Sequence, residues 1–225
     1  WLILEIGASQ IWVGAATGLR VIPAIILGLF AGVMVDRLGG RSVLIAERLI
    51  LLFLAILTAA VVVTEVVNLW QVVVLSIVSS AVLAMGMPAT QTLVVDYVSK
   101  ESLQAGNSLN MAVSSLARAL GPLSGGFLIA GFGLGSPFVA LIGLYVLSLF
   151  FSVRLPKSHP KERSGTSAIR EIGDGLKYIR SNPVLFRVML IAFSVILSAA
   201  MVPIIPVYAR DRFDVGETGF GIMLT

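Results

Sequence analysis

The chain has 225 residues, of which 57% are hydrophobic and only 12% charged, and its mean hydropathy is +0.99. A soluble domain carries about 25% charged residues, so this chain has too few charges to cover a water-facing surface and lipid is its main solvent. The formal charge of +4 does not point to nucleic acid, because the basic residues lie between apolar segments, where water and anionic headgroups meet.

The chain opens with WLILEIGASQ and stops at GFGIMLT, where another apolar segment begins. No basic leader precedes the first apolar residues, and the expectation is a piece of a longer membrane protein. Residues 1–6 read as the end of one span and 219–225 as the start of a later one. Between them, apolar runs at 11–34, 43–63, 68–95, 105–130, 136–153 and 184–208 meet or approach the ~20 residues that a spanning helix needs. The expected organisation is an all-α polytopic membrane protein with a transmembrane bundle over 1–153, a linker over 154–182, and a second bundle beginning at 183–225.

The run 11–34 continues into GLFAGVMVDRLGGR, Gly28 to Arg41. Ala24, Gly28, Gly32 and Asp36 form one i,i+4 stripe, which the sequence predicts as a close-packing face that ends in a carboxylate at the surface. Arg37 and Arg41 lie in the turn that follows. Asp36 is suited to a helix N-terminus or an arginine, and so to a latch; ordinary basic flanking explains the arginines but not the glycine stripe. Arg20, just before Pro23, reads as a buried arginine. Glu47 and Arg48, near the start of 43–63, are expected to snorkel to the interface, with no function attached. Asp96 closes 68–95 on one face with Pro88 and Thr92, either as a partner of Arg41 or Arg37 or as an exposed helix-end acid. Gln91 is a candidate cavity residue.

The stretch LARALGPLSGGF, Leu116 to Phe127, collects an arginine, a proline and three glycines inside an apolar run. Ala117, Gly121 and Gly125 form a small-residue stripe that suits close helix approach. Pro122 removes the amide that would have bonded the Arg118 carbonyl. A cation at the membrane centre costs about 2.5–3.5 kcal/mol on insertion scales, so Arg118 is expected to face protein or a wet cavity. Asn110, Ser114 and Arg118 form a polar stripe beside the small one. Lining a transport route and a purely structural pairing of Arg118 both remain open.

After 136–153 comes the one long connection. RLPKSHPKERSGTS is polar and basic, as a flexible linker should be, and it holds the single histidine, His159, read as a solvated loop residue. Ile169, Ile172, Leu176 and Ile179 then recur at helical spacing, with Arg170, Lys177 and Arg180 on other faces; the pattern fits an amphipathic helix on the membrane surface or a solvated linker helix. Asn182 and Pro183 supply an N-cap and a first-turn proline for the next span, in which Ser194 and Ser198 are candidate cavity residues.

Orientation follows from lysine and arginine. Connections 35–42, 97–104 and 154–187 hold Arg37, Arg41, Lys100, Arg154, Lys157, Lys161, Arg163, Arg170, Lys177, Arg180 and Arg187, against Arg210 and Arg212 on the other side. The first set is assigned to the cytoplasm, together with the N-terminus and the linker, in a cell membrane. No GxxxxGK[ST] or HExxH pattern occurs, no Ser-His-acid set can form around a linker histidine, and no cysteine is present for a disulfide or thiolate metal site; the chain does not read as an enzyme and needs no metal.

At these two motifs the sequence resembles the major facilitator superfamily. GVMVDRLGGR is similar to that family's loop Gly-x-x-x-Asp-Arg/Lys-x-Gly-Arg-Arg/Lys: Gly32, Asp36, Arg37, Gly39 and Arg41 match, and Gly40 stands where the first late arginine usually does. ARALGPLSGG resembles the antiporter motif Gly-x-x-x-Gly-Pro-x-x-Gly-Gly through Gly121, Pro122, Gly125 and Gly126, with Ala117 in the first glycine's place. The resemblance is nearest to the macrolide-efflux and siderophore-exporter branch. It implies twelve helices, alternating access by two rocking bundles, and export of amphipathic small molecules driven by protons, with no cofactor beyond the ion gradient and a monomeric state. It also implies a cytoplasmic latch of Gly32, Asp36, Arg37, Arg41 and Asp96, and close packing and a bend at Ala117, Gly121, Pro122, Gly125 and Gly126. Arg20, Gln91, Asn110, Ser114 and Arg118 are the candidates for the transport path. An uptake permease or lysophospholipid flippase, or a non-transporting scaffold or sensor, are the alternatives.

The orientation is checked by single-cysteine labelling of intact cells in a cysteine-free background. A cysteine at position 65 reacts with an impermeant maleimide, and one at position 100 reacts only after permeabilisation; the reverse pattern would invert the topology.

Overall fold

The computed structural model describes residues 10–64, 66–156, 173 and 177–198. Among them the helices are α1 (Gln10–Leu38), α2 (Gly40–Val63), α3 (Leu69–Tyr97), a single 3-10 turn (Lys100–Ser102), α4 (Leu103–Phe132), α5 (Ser136–Arg154) and α6 (Pro183–Ser198). No strand occurs among these residues. In hydrocarbon every backbone amide must find a partner within the chain, and helices satisfy that requirement segment by segment. The helices α2 and α3, α4 with its preceding turn, and α5 are each long and apolar enough to cross a bilayer. The two arms of α1, Gly18–Gly28 and Phe30–Leu38, meet at 40° and make a fifth candidate span; Gly28 adjoins the bend, where the absence of a side chain weakens the helix.

Local signals set the ends. Gly39 adopts φ 80°, a left-handed conformation that glycine takes at no steric cost, and so turns the chain between α1 and α2 within one residue. At the start of α3 the Asn68 amide donates to Gln71 Oε1 at 2.9 Å. The expected Asn182 cap is present: its Oδ1 accepts the amides of Val184 at 3.1 Å and Leu185 at 3.2 Å, with Pro183 at the first helical position. In the region expected to form an amphipathic helix, 177–181 are helical; Ile169, Arg170, Ile172 and Leu176 lie outside the described residues.

The helices pack unequally. The most extensive contact joins α1 and α3, followed by α2 with α3 and α2 with α5, whereas α4 touches α3 and α5 only lightly. Along α2 the buried positions are Gly40, Val43, Leu44, Glu47, Leu51, Leu54, Ala55, Ala59 and Val62, a helical stripe that faces α3 and α5. On α3 they include Val82, Gly86, Ala89 and Leu93. Two apolar clusters result. Val35, Val43, Leu44, Ala89 and Leu93 form one, and Leu51, Leu54 and Val82 form the other, with Tyr145 of α5 packed on it.

Two contacts stitch the end where Leu38, Tyr97 and Arg154 lie. Arg41 Nη2 donates to the Val153 carbonyl at 2.7 Å, and Tyr97 Oη donates to the Pro156 carbonyl at 2.6 Å. The turn after α1, the end of α3 and the first residues after α5 therefore meet at one end of the bundle. At the opposite end Trp12 and Trp70 stack edge-on at 5.1 Å, and Val63 of α2 lies against Gly135, at the start of α5.

The stripe Ala24–Gly28–Gly32–Asp36 does not make the tight contact that its spacing suggests. Among the described residues, and apart from the glycine's own stretch of helix, nothing lies within 4 Å of where a Cβ would stand at Gly28 or Gly32. The close approach comes instead at Gly40, whose Cβ position is 3.0 Å from the Ala89 carbonyl oxygen and 3.3 Å from Leu93. This accounts for glycine where the resembling loop carries arginine: α3 backbone occupies the space.

Gly40→Arg should therefore destabilise the protein by about 1–3 kcal/mol through overpacking, whereas Gly28→Ala should be neutral or stabilise by about 0.5–1 kcal/mol. Thermal melting of the detergent-solubilised full-length protein distinguishes the two.

Candidate functional site

The site begins with the two faces that α1 and α3 turn to each other at the basic end. Ala31 and Val35 of α1 are buried, as are Ala89 and Leu93 of α3, and these small and medium side chains bring the helices close. One step round each helix the faces diverge. A cavity of about 310 Å³ opens there, lined by Gly32, Val35 and Asp36 from α1 and by Pro88, Gln91, Thr92, Val95 and Asp96 from α3. The i,i+4 spacing of Gly32 with Asp36 and of Pro88, Thr92 and Asp96 places each set on one helix face. Gly32 makes room rather than contact, and Pro88 lacks the amide that would close the preceding turn. Four residues singled out from sequence, Gly32, Asp36, Gln91 and Asp96, thus share one cavity, and both of its carboxylate residues are exposed.

Arg41 belongs to the same end but reaches across to α5 through its bond to Val153, and its Nε is buried without a hydrogen-bond partner. Tyr97 lies within electrostatic reach of both Asp96 and Arg41 and holds the first residues after α5 through Pro156. A carboxylate pair, an arginine anchored on a neighbouring helix and a tyrosine tied to the linker form a connected polar end, suited to holding α1, α3 and α5 in register.

A second cavity, of about 270 Å³, lies further along the bundle between α1, α2, α3 and α5. Its polar lining is Arg20, Thr58, Ser76, Ser79, Ser80 and Tyr145. Arg20 Nε donates to Ser80 Oγ at 2.6 Å. The expectation of a buried Arg20 is corrected: the side chain is exposed and faces this cavity and an adjoining groove with Val21, Ala24 and Ile25. Among the described residues the guanidinium is held by the Ser80 hydroxyl.

The motif on α4 stands apart from both cavities. Arg118 is exposed and donates from Nη2 to Ser115 Oγ at 3.1 Å, one turn away on its own helix. Asn110 and Ser114 are half-buried. Gly121 and Gly125 have open space where a Cβ would lie, and Gly126 alone on this helix is buried. The small stripe with Ala117 and the turn at Pro122 therefore present a free face among the described residues. In α6, Ser194 is exposed and bonds to the Leu190 carbonyl at 2.9 Å; the Ser198 side chain lies outside the described residues.

Glu47 corrects the sequence reading most. It does not snorkel: it is 1% exposed, and its Oε2 has no hydrogen-bond partner. The signal was available, since Glu47 falls in register with Val43, Leu44, Leu51 and Leu54, the apolar stripe of α2.

Comparison with known proteins places this architecture. The description Major Facilitator Superfamily matches residues 1–225. An uncharacterized MFS-type transporter of Bacillus subtilis, YfiS, is 30% identical over 181 residues, covering 76% of this chain and 41% of that protein. The multidrug efflux pump Tap of Mycolicibacterium fortuitum is 26% identical over 236 residues, covering 99% of this chain and 57% of that protein. The chain thus spans about half the length of these curated relatives, and with its all-α, membrane-capable helices and the motifs above it belongs to the Major Facilitator Superfamily.

Proposed function

We propose that this chain is part of a secondary transporter that exports amphipathic small molecules in exchange for protons, with the basic end facing the cytoplasm of a cell membrane. The observation that carries the reading is the cavity between α1 and α3, where Asp36 and Asp96 line one water-accessible space with Gln91. Such a carboxylate pair beside a glycine-opened face can bind a neighbouring helix N-terminus or a cation in one state and release it in another.

Export rather than uptake draws support from the Gly121-Pro122-x-x-Gly125-Gly126 pattern and from the likeness to a protein named a multidrug efflux pump. The open face of α4 supports a path along Asn110, Ser114 and Arg118. A cation there is stable only beside protein or water, which a second bundle around a wet route supplies. On this reading the ion gradient is the only energy source, and the transporter works as a monomer in the bilayer without nucleic acid.

In inside-out vesicles carrying the full-length protein, an imposed proton gradient drives ethidium accumulation. Asp36→Asn lowers the initial rate by about tenfold, the size of a lost coupling of 1–3 kcal/mol, without loss of protein from the membrane. Counterflow of lysolipids, sugars or amino acids, with no gradient-driven movement of any amphipathic probe, would overturn the export reading.

A further inference from the structure

Between the two apolar clusters of the α2–α3 contact lies a single polar layer. Glu47 fills it, one turn from Val43 and Leu44 on one side and from Leu51 on the other. Opposite, α3 contributes Gly86: a Cβ there would stand 2.6 Å from Glu47 Oε1 and 2.9 Å from its carboxyl carbon. A side chain at position 86 would force the carboxyl group of Glu47 to shift from its place against α3. The Gly86 carbonyl is already engaged, accepting from Thr90 Oγ1 at 2.8 Å.

The charges around this carboxyl group are sparse. On its own helix, Arg48 Nη1 stands 3.4 Å from Oε1, long for a charge-assisted bond, and as the adjacent residue it points to a different face of the helix. Arg48 Nε is also buried without a partner. On α5, Tyr145 is the titratable group that shares the field of Glu47 and Arg48. The titratable residues of α1 and α3 belong to other levels: Arg20 to the second cavity, Asp36 and Asp96 to the first, with Arg37 and Tyr97 at the basic end. Gly86 lies six residues from Ser80 and ten from Asp96, about 9 and 15 Å along the axis.

A fully ionised carboxylate with one oxygen unpaired is expensive in such a place, and a carboxylic acid is far less so. A route for water lies close by: Tyr145 both packs on the adjoining apolar cluster and lines the cavity of about 270 Å³, which is large enough for several water molecules and offers them Arg20, Thr58 and Ser80 in an otherwise largely apolar wall. We propose that Glu47 is a proton-carrying residue of this transporter: protonated in the packed arrangement seen here, and ionised against Arg48 when the α2–α3–α5 layer opens toward water. The proton passes from water to a carboxyl oxygen of Glu47 and returns to water on opening, so that the closure of α3 over α2 and proton uptake are one event. This rests on the proton-driven reading above and gives it a specific carrier.

The test uses the full-length protein with Glu47→Gln, which keeps shape and neutrality but cannot release a proton, and Glu47→Asp, which can. In reconstituted vesicles, infrared difference spectra recorded across a pH titration should show a carboxylic C=O band in wild type and Glu47→Asp that is missing in Glu47→Gln. Gradient-driven ethidium accumulation should fall by about tenfold or more in Glu47→Gln, while ethidium exchange at equal pH on both sides stays within about twofold, as expected when coupling and not binding is lost. A band unchanged in Glu47→Gln, or gradient-driven accumulation retained by that variant, overturns the proposal. If wild type moves no ethidium, the export reading fails, and the infrared titration still decides whether Glu47 exchanges a proton.

Discussion

The structure depends on how closely α2 can approach α3. Two glycines, Gly40 and Gly86, give up side chains where the other helix presents a carbonyl oxygen and a carboxyl group respectively. Because the two helices run antiparallel, these contacts fall in order along one seam: Gly40 against Ala89 and Leu93, Glu47 against Gly86, then Leu51 and Leu54 against Val82. In a bilayer, association cannot rely on the exclusion of water and must come from close van der Waals packing and interhelical polar contacts. Small residues at the seam supply the first. Glu47 makes the second a matter of protonation.

The seam also places the polar end. Once α2 is fixed against α3, the turn at Gly39 brings Arg41 to α5, and Tyr97 closes over the start of the linker. Asp36 and Asp96 are then carried to the two walls of one cavity by α1 and α3, the most extensively paired helices described. The second cavity lies further along the same seam, lined by Leu51 and by Tyr145, which also packs on the Leu51, Leu54 and Val82 cluster. A seam that buries an acid among the described residues can sense a change in helix packing and a change in proton activity together.

Much of this was legible in the amino-acid order. Bilayer thickness fixes the length of an apolar run, so the expected spans 43–63 and 136–153 lie within a few residues of Gly40–Val63 and Ser136–Arg154. Asn182 and Pro183 announced a helix start because their chemistry is local. Asp36, Gln91 and Asp96 were found through polarity in an apolar setting. The packing partners of the glycines were not legible. A small-residue stripe says that a helix can approach, but not that one does: among the described residues Gly28 and Gly121 face open space, while Gly86, which no repeating pattern marks, touches a carboxyl group. Glu47 reads as an interfacial residue because it lies near the start of its span, although its register with Val43, Leu51 and Leu54 points inward.

The central claim is that Glu47 and Gly86 are in contact, and a double-mutant cycle on the thermal stability of the solubilised full-length protein tests it most directly. In the wild-type background Gly86→Ala should cost about 1–3 kcal/mol, because the new methyl group meets the carboxyl group; in a Glu47→Ala background the same change should cost less than about 0.5 kcal/mol. An equal cost in both backgrounds would mean that the two residues do not touch, and the account of the seam would fall.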